Sequence, residues 1–499
     1  MVENVESVPI KKQNKNSKFK KLISGNLSEF LKNSSIHGIQ YFSEDRSLVE
    51  RGFWLLVLSF SVYACIALIK SAWYKWDENP TFISFRQSPV NIWDIPFPAV
   101  TVCSMYTMNR NSNFTFSYRP NSQKNASWEV GNASTFCDKQ TNGENYVTEY
   151  DDANFSESQK WNEFLVQTSP GRDQIFSHCY WNGKQCDIFS PLLAPWGICF
   201  SFNMLNNDDI FTTNAHRSYN YENQNNISNW NIETNYPKTD QAVYPWRSVN
   251  VQDTLNFELQ KNLSQIGCGT LNYYQIFLHH PAEVPKGYVD AINVQHNHDH
   301  EIIVQPDVTF TSENLKSYSP ERRKCFYSHE RKLHFFKIYT LTNCKVECLA
   351  NYTLELCGCV THYMPHNKTT ILCAISNYDT NKCLRTAEAT MGNFESGIWN
   401  DCKPSCKCLP LCNTITYNSK LKSLDVGNTQ VIMLYKDTEF LALERQELFG
   451  DSNFWASCGG LLGLFTGFSV VSFVEIIYYL ILKLIYNLGK LVFRNCAKF

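Results

Sequence analysis

The sequence lacks a net charge of either sign and lacks the short motifs that mark common enzymes. Its 499 residues carry 45 Lys and Arg against 47 Asp and Glu, a formal net charge of −2. That balance excludes a nucleic-acid binder that relies on bulk positive charge. A nucleophile elbow, an HExxH pair, a phosphate-binding glycine loop and internal repeats are all absent. We therefore predict that the protein is not an enzyme.

Long apolar runs are also few, and two stand out. The first, Phe53 to Ile69, lies between Arg51 and Lys70 and is followed by aromatic residues of the kind found at membrane interfaces. It begins too far into the chain for a cleavable signal peptide. The second, from Phe454 to Val474, contains no charge and is long enough to cross a bilayer. The sequence thus predicts two membrane spans, 52–71 and 454–482.

Basic residues set the expected orientation of these spans. Residues 1–51 hold nine Lys and Arg, and the tail after Glu475 holds four with no acidic residue. The positive-inside rule then places both the N-terminal region, 1–51, and the tail, 483–499, in the cytoplasm. The densest basic run, Lys11 to Lys21, fits a solvated arm best, and contact with anionic lipid is the alternative.

This topology leaves residues 72–453 outside the cell, and the cysteines agree with it. Seventeen of the 20 cysteines lie between Cys103 and Cys412, where oxidising surroundings would pair them. Zinc binding is the alternative for the dense section 325–412, but glycosylation sequons inside it favour disulfides. Eight Asn-X-Ser/Thr sequons are expected to carry glycans: Asn113, Asn125, Asn132, Asn154, Asn226, Asn262, Asn351 and Asn367.

The region between the spans reads as mixed α and β structure. Alternating or β-branched runs predict strands at 97–102, 301–310 and 429–435, and apolar spacing predicts a helix over 343–359. The fold class is therefore a membrane protein with two transmembrane helices and a large disulfide-rich α+β extracellular domain.

Five histidines invite a metal or pH-sensing interpretation. His296, His298 and His300 occupy alternate positions, so on a strand they would share one face and could bind a metal or respond to pH. On a loop they would be solvated, which is the interpretation we favour. His279 and His280 fit the end of a structural strand, and no metal site is predicted.

The second span carries features that cost stability in lipid. Small residues recur four apart at Gly459, Gly463 and Gly467, and polar residues recur three apart from Ser469 through Ser472 to Glu475. A tight helix dimer with one buried carboxylate is one explanation. A water-filled pathway lined by several copies of this helix explains both stripes together, and it is the interpretation we favour.

Several motifs together resemble the degenerin/epithelial sodium channel superfamily. They are "FPAVTVC" after the first span, the Cys-x3-Cys-x8-Cys-x-Cys run, "CKCLPLCNTITY" (406–417) and "GLFTGFSVVSFVEIIYY" (463–479). The run "YSPERRKCFYSHE" (318–330) and "CLPLC" are most similar to the insect pickpocket branch of that superfamily. The resemblance extends from His37 to about Tyr479.

The resemblance implies a set of disulfides. The implied pairs are Cys103–Cys199, Cys179–Cys186, Cys325–Cys412, Cys344–Cys408, Cys348–Cys406, Cys357–Cys383 and Cys359–Cys373. Cys137, Cys268 and Cys402 remain outside this pattern. Three is an odd number, so at least one of them is expected to be free or to bridge between chains.

The resemblance also implies an assembly and a pore. Three identical or related subunits would surround one pathway. Gly467-Phe468-Ser469 would interrupt the second helix and form the ion-selective constriction of that pathway. Glu475 would attract cations, and Phe468 is bulkier than the small residue usual at its position. His37-Gly38 matches a cytoplasmic gating motif.

Two further residues belong to the expected gate. Ala456 stands where relatives have a small residue whose enlargement opens the gate, and Gly463 belongs to the small-residue stripe. Ser457 replaces an acidic residue that some relatives carry at the pore mouth, so we expect weaker block by multivalent cations.

The resemblance implies a sodium-selective plasma-membrane channel, amiloride-sensitive, gated through its extracellular domain, with a sensory or osmotic role. Conduction is downhill and calls for no cofactor beyond the permeant Na⁺. A non-channel two-span scavenger or lipid receptor is the alternative; it would need no polar stripe in its second span. An ATP-gated trimer would lack the Gly-X-Ser constriction and the cysteine ladder, and an ectoenzyme is a more distant alternative.

Overall fold

The helices and strands come from a computed structural model of the chain. It describes residues 15–43, 46–78, 80–104, 107–109, 166, 169–186, 189–195, 197–216, 230–233, 236, 244–260, 265–267, 273–285, 291–373, 378–395 and 406–496. These residues fall into two compact units. We call residues up to Phe82 and from Gln446 onward the terminal unit, and Ile83–Arg445 the central unit.

Helices form most of the terminal unit, whereas in the central unit they are interspersed with strands along the chain. They are α1 (Lys15–Asn33), α2 (Leu48–Glu78), α3 (Arg172–Ile175), α4 (Asn207–Ile210), α5 (Pro320–Arg323), α6 (Leu341–Cys357), α7 (Tyr378–Glu395), α8 (Asp451–Thr466), α9 (Val470–Ile477) and α10 (Lys483–Cys496). A π-helical segment, Tyr478–Leu482, joins α9 to α10.

The strands lie mainly in the central unit. They are β1 (Thr81–Phe85), β2 (Val90–Asn91), β3 (Ala99–Ser104), β4 (Thr107–Asn109), β5 (Phe176–Trp181), β6 (Lys184–Gln185), β7 (Ser190–Ala194), β8 (Gly197–Phe202), β9 (Leu255–Leu259), β10 (Gln265–Gly267), β11 (Tyr273–His279), β12 (Ile292–Gln295), β13 (His298–Thr311), β14 (Thr414–Val426), β15 (Gln430–Tyr435), β16 (Glu439–Phe440) and β17 (Leu443–Glu447). The predicted strands 97–102, 301–310 and 429–435 correspond to β3, β13 and β15.

Two stretches of the described residues are long and apolar enough to cross a membrane, Leu48–Glu78 and Val470–Asn487. The predicted first span, 52–71, lies inside α2. The predicted second span, 454–482, is interrupted at the tripeptide where the resemblance implies a break, because α8 ends at Thr466 and α9 begins at Val470. Helix α10 then continues through residues 483–496, for which the sequence predicted only a cytoplasmic tail.

Two sheets build the central unit. The first contains eight strands. Seven of them follow the order β1-β17-β13-β15-β9-β5-β6, and the eighth, β14, pairs with β13 in antiparallel orientation. The second contains five strands in the order β12-β11-β3-β8-β7. One apolar core draws side chains from both sheets, including the fully buried Val102, Phe257 and Val431. Strand alternation produces that core, because successive side chains point to opposite faces.

The "FPAV" motif has a structural explanation in this core. The backbone N–H of Phe97 donates to the carbonyl of Trp246 at 2.9 Å. The side-chain amide of Asn203 donates to the Phe97 carbonyl at 2.7 Å and accepts from the Trp246 N–H at 2.7 Å. The Phe97 ring packs on Trp181 with centroids 4.8 Å apart. The motif therefore fixes the entry of the chain into β3.

The histidines do not form a metal site in the described residues, where no cluster of three or more His, Cys, Asp or Glu side chains is arranged to hold an ion. His296 lies in the β12–β13 turn, while His298 and His300 begin β13 and His300 is buried. The solvated-loop interpretation was therefore wrong for His298 and His300. His279 ends β11, as predicted, and accepts or donates a 2.8 Å hydrogen bond with the Thr101 hydroxyl. Burial lowers the pKa of His279 to about 4 and that of His280 to about 3, so both rings are neutral near pH 7.

Seven disulfides occur among the described residues, and they join the seven pairs that the resemblance implies. They are Cys103–Cys199, Cys179–Cys186, Cys325–Cys412, Cys344–Cys408, Cys348–Cys406, Cys357–Cys383 and Cys359–Cys373. Cys65 and Cys458 are free and buried. Cys137, Cys268 and Cys402 lie outside the described residues.

The disulfides brace one helix above all. Helix α6 covers the predicted helix 343–359 except its last two residues, because the helix ends at Cys357 and Gly358 adopts a left-handed conformation. The Thr340 hydroxyl caps α6 by accepting from the Asn343 N–H at 3.1 Å. Cys344 and Cys348, one turn apart, both bond to the chain that leads into β14. The sequons Asn351 and Asn367 are exposed near this region. The other six sequons lie outside the described residues: Asn113, Asn125, Asn132, Asn154, Asn226 and Asn262.

The bracing of α6 gives a first prediction. Replacing Cys348 with Ser should release Cys406 as a free thiol and lower the amount of mature protein at the cell surface, because a native disulfide typically contributes about 2–5 kcal/mol. Alkylation of free thiols followed by peptide mass mapping measures the first effect, and surface biotinylation measures the second. Cys65→Ser, at a cysteine that is already free, is the matched control. Mass mapping of the wild-type protein that finds Cys348 joined to a cysteine other than Cys406 would contradict the assigned pairing.

Candidate functional site

The polar and small-residue stripes of the second span meet at a break in its helix. Helix α8 ends at Thr466, and Gly467 adopts a left-handed conformation with φ of 65°. Glycine adopts this conformation without the steric cost that a Cβ imposes. The Gly467 N–H still donates to the Gly463 carbonyl at 2.9 Å, so the helix closes normally before the chain turns. The break is therefore encoded at a single residue.

Helix α9 restarts through a reciprocal cap. The Ser472 N–H donates to the Ser469 hydroxyl at 3.2 Å, and the Ser469 N–H donates to the Ser472 hydroxyl at 3.2 Å. Serine is among the residues that best satisfy the free N–H groups at a helix start. The sequence Gly467-Phe468-Ser469 thus contains both a helix terminator and a helix initiator, separated by Phe468 alone.

A segment from the N-terminal region, residues 34–38, lies against this break. The His37 N–H donates to the carbonyl of Thr466, the last residue of α8, at 2.9 Å. The His37 ring lies so close to Gly467 that a Cβ added there would be 2.7 Å from it. Gly38 adopts φ of 82°, which lets the chain turn back toward α2. The predicted gating motif and the predicted constriction are therefore in contact.

The same segment reaches the lower part of the polar stripe. The Ser35 N–H and the Ser35 hydroxyl each donate to Glu475 Oε2 at 3.0 Å. The Ser35 hydroxyl also lies 2.7 Å from the hydroxyl of Ser472, which is fully buried. Charge-assisted hydrogen bonds of this kind are stronger than those between neutral groups. Glu475 is thus held by the N-terminal segment.

Contacts continue along α1 and α10 in one antiparallel register. The Phe30 ring lies 6.0 Å from the Tyr479 ring, and Lys483 forms an ion pair with Glu29. One turn further on, the Asn487 amide donates to the Asn26 side chain at 2.9 Å. The contacts of Ser35 and His37 fit the same pattern: as residue numbers rise along the N-terminal region, the numbers of their partners near the C-terminus fall. The N-terminal region therefore follows the C-terminal half of the second span.

The opposite end of α8 packs on α2 through aromatic rings. The Phe454 ring lies 5.3 Å from the Trp76 ring, and the Trp76 indole N–H donates to Asp451 at 2.8 Å. A cavity of about 430 Å³ opens nearby between α2 and α8, lined by residues that include Lys75 and Ser457. Ala456 is exposed on α8 beside this contact. These aromatic contacts couple the start of α8 to the end of α2.

Of the predicted site residues, the structure groups His37, Gly467, Phe468, Ser469 and Glu475 around the break. Gly38 lies one residue further along the same turn, and Gly463 lies one turn earlier in α8. Ala456 and Ser457 occupy the first turns of α8, away from the break.

Ser35 is a site residue that sequence reasoning missed. It stands two residues before His37, in a stretch that reads as an ordinary polar linker. The one available signal was its closeness to the His-Gly pair, since its partner Glu475 is 440 positions away.

Comparison with known proteins gives a consistent result. A family model described as "Amiloride-sensitive sodium channel" matches residues 30–479. Pickpocket protein 28 of Drosophila melanogaster is 25% identical over 500 residues, covering 91% of this chain and 78% of that protein. Sodium channel protein Nach of the same fly is 22% identical, covering 91% and 86%. The bile acid-sensitive ion channel of Mus musculus is 22% identical, covering 90% and 86%.

The family match covers most of the chain and includes both spans, the disulfide ladder and the broken helix. The family is one of ion channels rather than enzymes, which agrees with the absence of catalytic motifs. The chain belongs to the amiloride-sensitive sodium channel family and is a two-span, membrane-embedded cation channel subunit of the degenerin/epithelial sodium channel superfamily.

Proposed function

We propose that this protein is a subunit of a trimeric, sodium-selective, amiloride-sensitive channel of the plasma membrane, with both termini in the cytoplasm. The observation that carries the proposal is the break at Gly467–Ser469 in a span that is otherwise helical. Non-helical backbone at membrane depth is tolerated only where it is enclosed by protein or lines water. A pore surrounded by three copies satisfies both conditions.

Ion selection follows from the chemistry of the break. Backbone carbonyls and serine hydroxyls are oxygen ligands that can replace part of the hydration shell of a small cation. A tenfold preference between two cations needs about 1.4 kcal/mol, which is within the contribution of one ligand. The Glu475 carboxylate adds a negative potential that favours cations over anions. No cofactor is required, because Na⁺ moves down its own gradient.

Gating is proposed to start in the central unit. Its disulfide-braced region around α6 is stiff, and the chain enters and leaves the central unit through β1 and β17. A stimulus received outside the cell would act on both spans through these two connections, in a sensory or osmotic role. The alternative of a non-channel lipid receptor offers no reason for a broken, polar second span.

The channel proposal is tested by recording from cells that express the full chain while bath Na⁺ is replaced by a large organic cation. A sodium-selective pore requires the inward current to disappear and the reversal potential to become strongly negative. Amiloride at micromolar concentration should reduce the current; a dissociation constant in that range corresponds to a binding free energy of about −8 kcal/mol. Currents that persist unchanged in the organic cation would contradict sodium selectivity.

The constriction is tested at Ser469. A larger side chain there, Ser469→Leu, removes the hydroxyl and the cap of α9, so it should abolish current or lower the Na⁺-to-K⁺ permeability ratio about tenfold or more, which corresponds to about 1.4 kcal/mol. Surface biotinylation must show that the variant is delivered. The conservative change Ile481→Leu, in the exposed π-helical segment, is the control and should keep the ratio. Ser469 variants with normal selectivity would exclude this constriction.

The gate is tested at Ala456. This residue is exposed beside the point where α8 packs on α2, so a bulky replacement such as Ala456→Phe should hold neighbouring helices apart and raise the resting current several-fold. Resting current is measured as the fraction removed by amiloride or by withdrawal of Na⁺. Asn453→Phe, one turn back toward the start of α8 and also exposed, controls for bulk alone. Equal resting currents in wild type and Ala456→Phe, at equal surface levels, would count against this role.

A further inference from the structure

Ser35 holds three contacts that the channel function described above does not use. Its backbone N–H and its hydroxyl both approach Glu475 Oε2 at 3.0 Å, and its hydroxyl lies 2.7 Å from the Ser472 hydroxyl. The neighbouring Ser34 is different: its hydroxyl accepts from the Ile36 N–H at 3.3 Å and so stabilises a local turn. The two adjacent serines therefore make different contacts: Ser34 hydrogen-bonds within the N-terminal segment, and Ser35 hydrogen-bonds to the second span.

The hydroxyls form a continuous chain from Glu475 to the constriction. A hydroxyl has one hydrogen to donate, so if Ser35 donates to Glu475, its oxygen accepts from Ser472. The other acceptor of the Ser472 hydroxyl, the Gly467 carbonyl, is farther away at 3.5 Å. The Ser472 oxygen in turn accepts from the N–H of Ser469 at 3.2 Å and lies 3.2 Å from the Ser469 hydroxyl. The orientation of each group is then fixed by the next one. A change at Ser35 can reach Ser469 without any change in fold.

We propose that Ser35 is a positioning residue for ion selection: it orients the Glu475 carboxylate and, through Ser472, the capping hydroxyl of Ser469. This inference rests on the proposed channel function. Because Oε2 accepts two hydrogen bonds from Ser35, the carboxylate is held in one orientation. Without the Ser35 hydroxyl the carboxylate is less restrained, and the Ser472 hydroxyl is left with the Gly467 carbonyl, 3.5 Å away, as its acceptor.

Removal of the Ser35 hydroxyl should leave the N-terminal segment in place. The His37 N–H still donates to the Thr466 carbonyl, and the Ser35 N–H still donates to Glu475. Further along, the contacts of Glu29 with Lys483 and of Asn26 with Asn487 do not involve Ser35. The substitution Ser35→Ala therefore tests the hydroxyl rather than the attachment of the segment.

The selectivity test compares Ser35→Ala, Ser35→Thr and Ser34→Ala in the full chain. We expect Ser35→Ala to change the Na⁺-to-K⁺ permeability ratio about threefold or more, Ser35→Thr to restore it because threonine keeps the hydroxyl, and Ser34→Ala to leave it unchanged. In a Glu475→Gln background the Ser35→Ala change should have little further effect, because residues that act through one another are not additive. An unaltered ratio in Ser35→Ala, or an equal effect in both backgrounds, overturns the proposal.

A cross-linking test separates failure of this inference from failure of the channel proposal. The Ser35 and Ser472 hydroxyl oxygens are 2.7 Å apart. Cysteines at both positions should therefore form a disulfide when isolated membranes are treated with an added two-electron thiol oxidant such as diamide, with loss of two thiols that label with maleimide after denaturation. The pair Ser34→Cys with Ser472→Cys is the matched control and should keep its thiols. Thiols that persist in the Ser35→Cys, Ser472→Cys protein overturn the contact whether or not the chain conducts. A formed cross-link together with no current from the wild-type chain would instead count against the proposed function and leave the contact standing.

Discussion

The arrangement of the terminal unit depends on one residue, Gly467, and on its positive φ of 65°. In a bilayer an interrupted helix is costly, because its free carbonyl and N–H groups have no water to bond. Two sets of hydrogen bonds offset this cost. Ser469 and Ser472 cap the start of α9, and the His37 N–H of the N-terminal segment donates to the Thr466 carbonyl at the end of α8. The break is thus stabilised by protein groups on both sides.

The N-terminal segment follows from this constraint. A segment that caps the end of α8 must run beside α9 and α10, and it does so with one antiparallel register that places Ser35 at Glu475 and Glu29 at Lys483. Each contact alone is weak, since exposed ion pairs contribute at most about 1 kcal/mol. The register as a whole brings the His-Gly pair and the broken span together in one set of hydrogen bonds.

Much of the fold could be predicted from local patterns. The strands β3, β13 and β15, helix α6 and the first span all follow from apolar spacing, because a single buried face imposes a periodicity on the sequence. The seven disulfide pairs came from the resemblance instead, since cysteine counts alone leave many pairings open. The functional stripes in the second span were visible because glycine, serine and glutamate are costly in lipid.

Other features could not be predicted, for a physical reason. The tail after residue 482 was predicted only as cytoplasmic, and its helix α10 went unrecognised because three basic residues, Lys483, Lys490 and Arg494, obscure the apolar spacing. Ser35 has a partner 440 residues away, and no local pattern encodes a contact at that separation. Such contacts depend on the register of two helices, which is set only after both have formed.

The most direct test of the central claim compares two glycine-to-alanine changes in the second span. At Gly467 an added Cβ meets the His37 ring at 2.7 Å and strains a left-handed backbone, whereas at Gly460 nothing lies within 4 Å of the added atom. The account predicts that Gly460→Ala conducts with normal selectivity and that Gly467→Ala, delivered equally to the surface, loses its current or its sodium preference. A Gly467→Ala channel with wild-type conductance and selectivity would contradict the claim that a left-handed glycine break forms the ion-selective site.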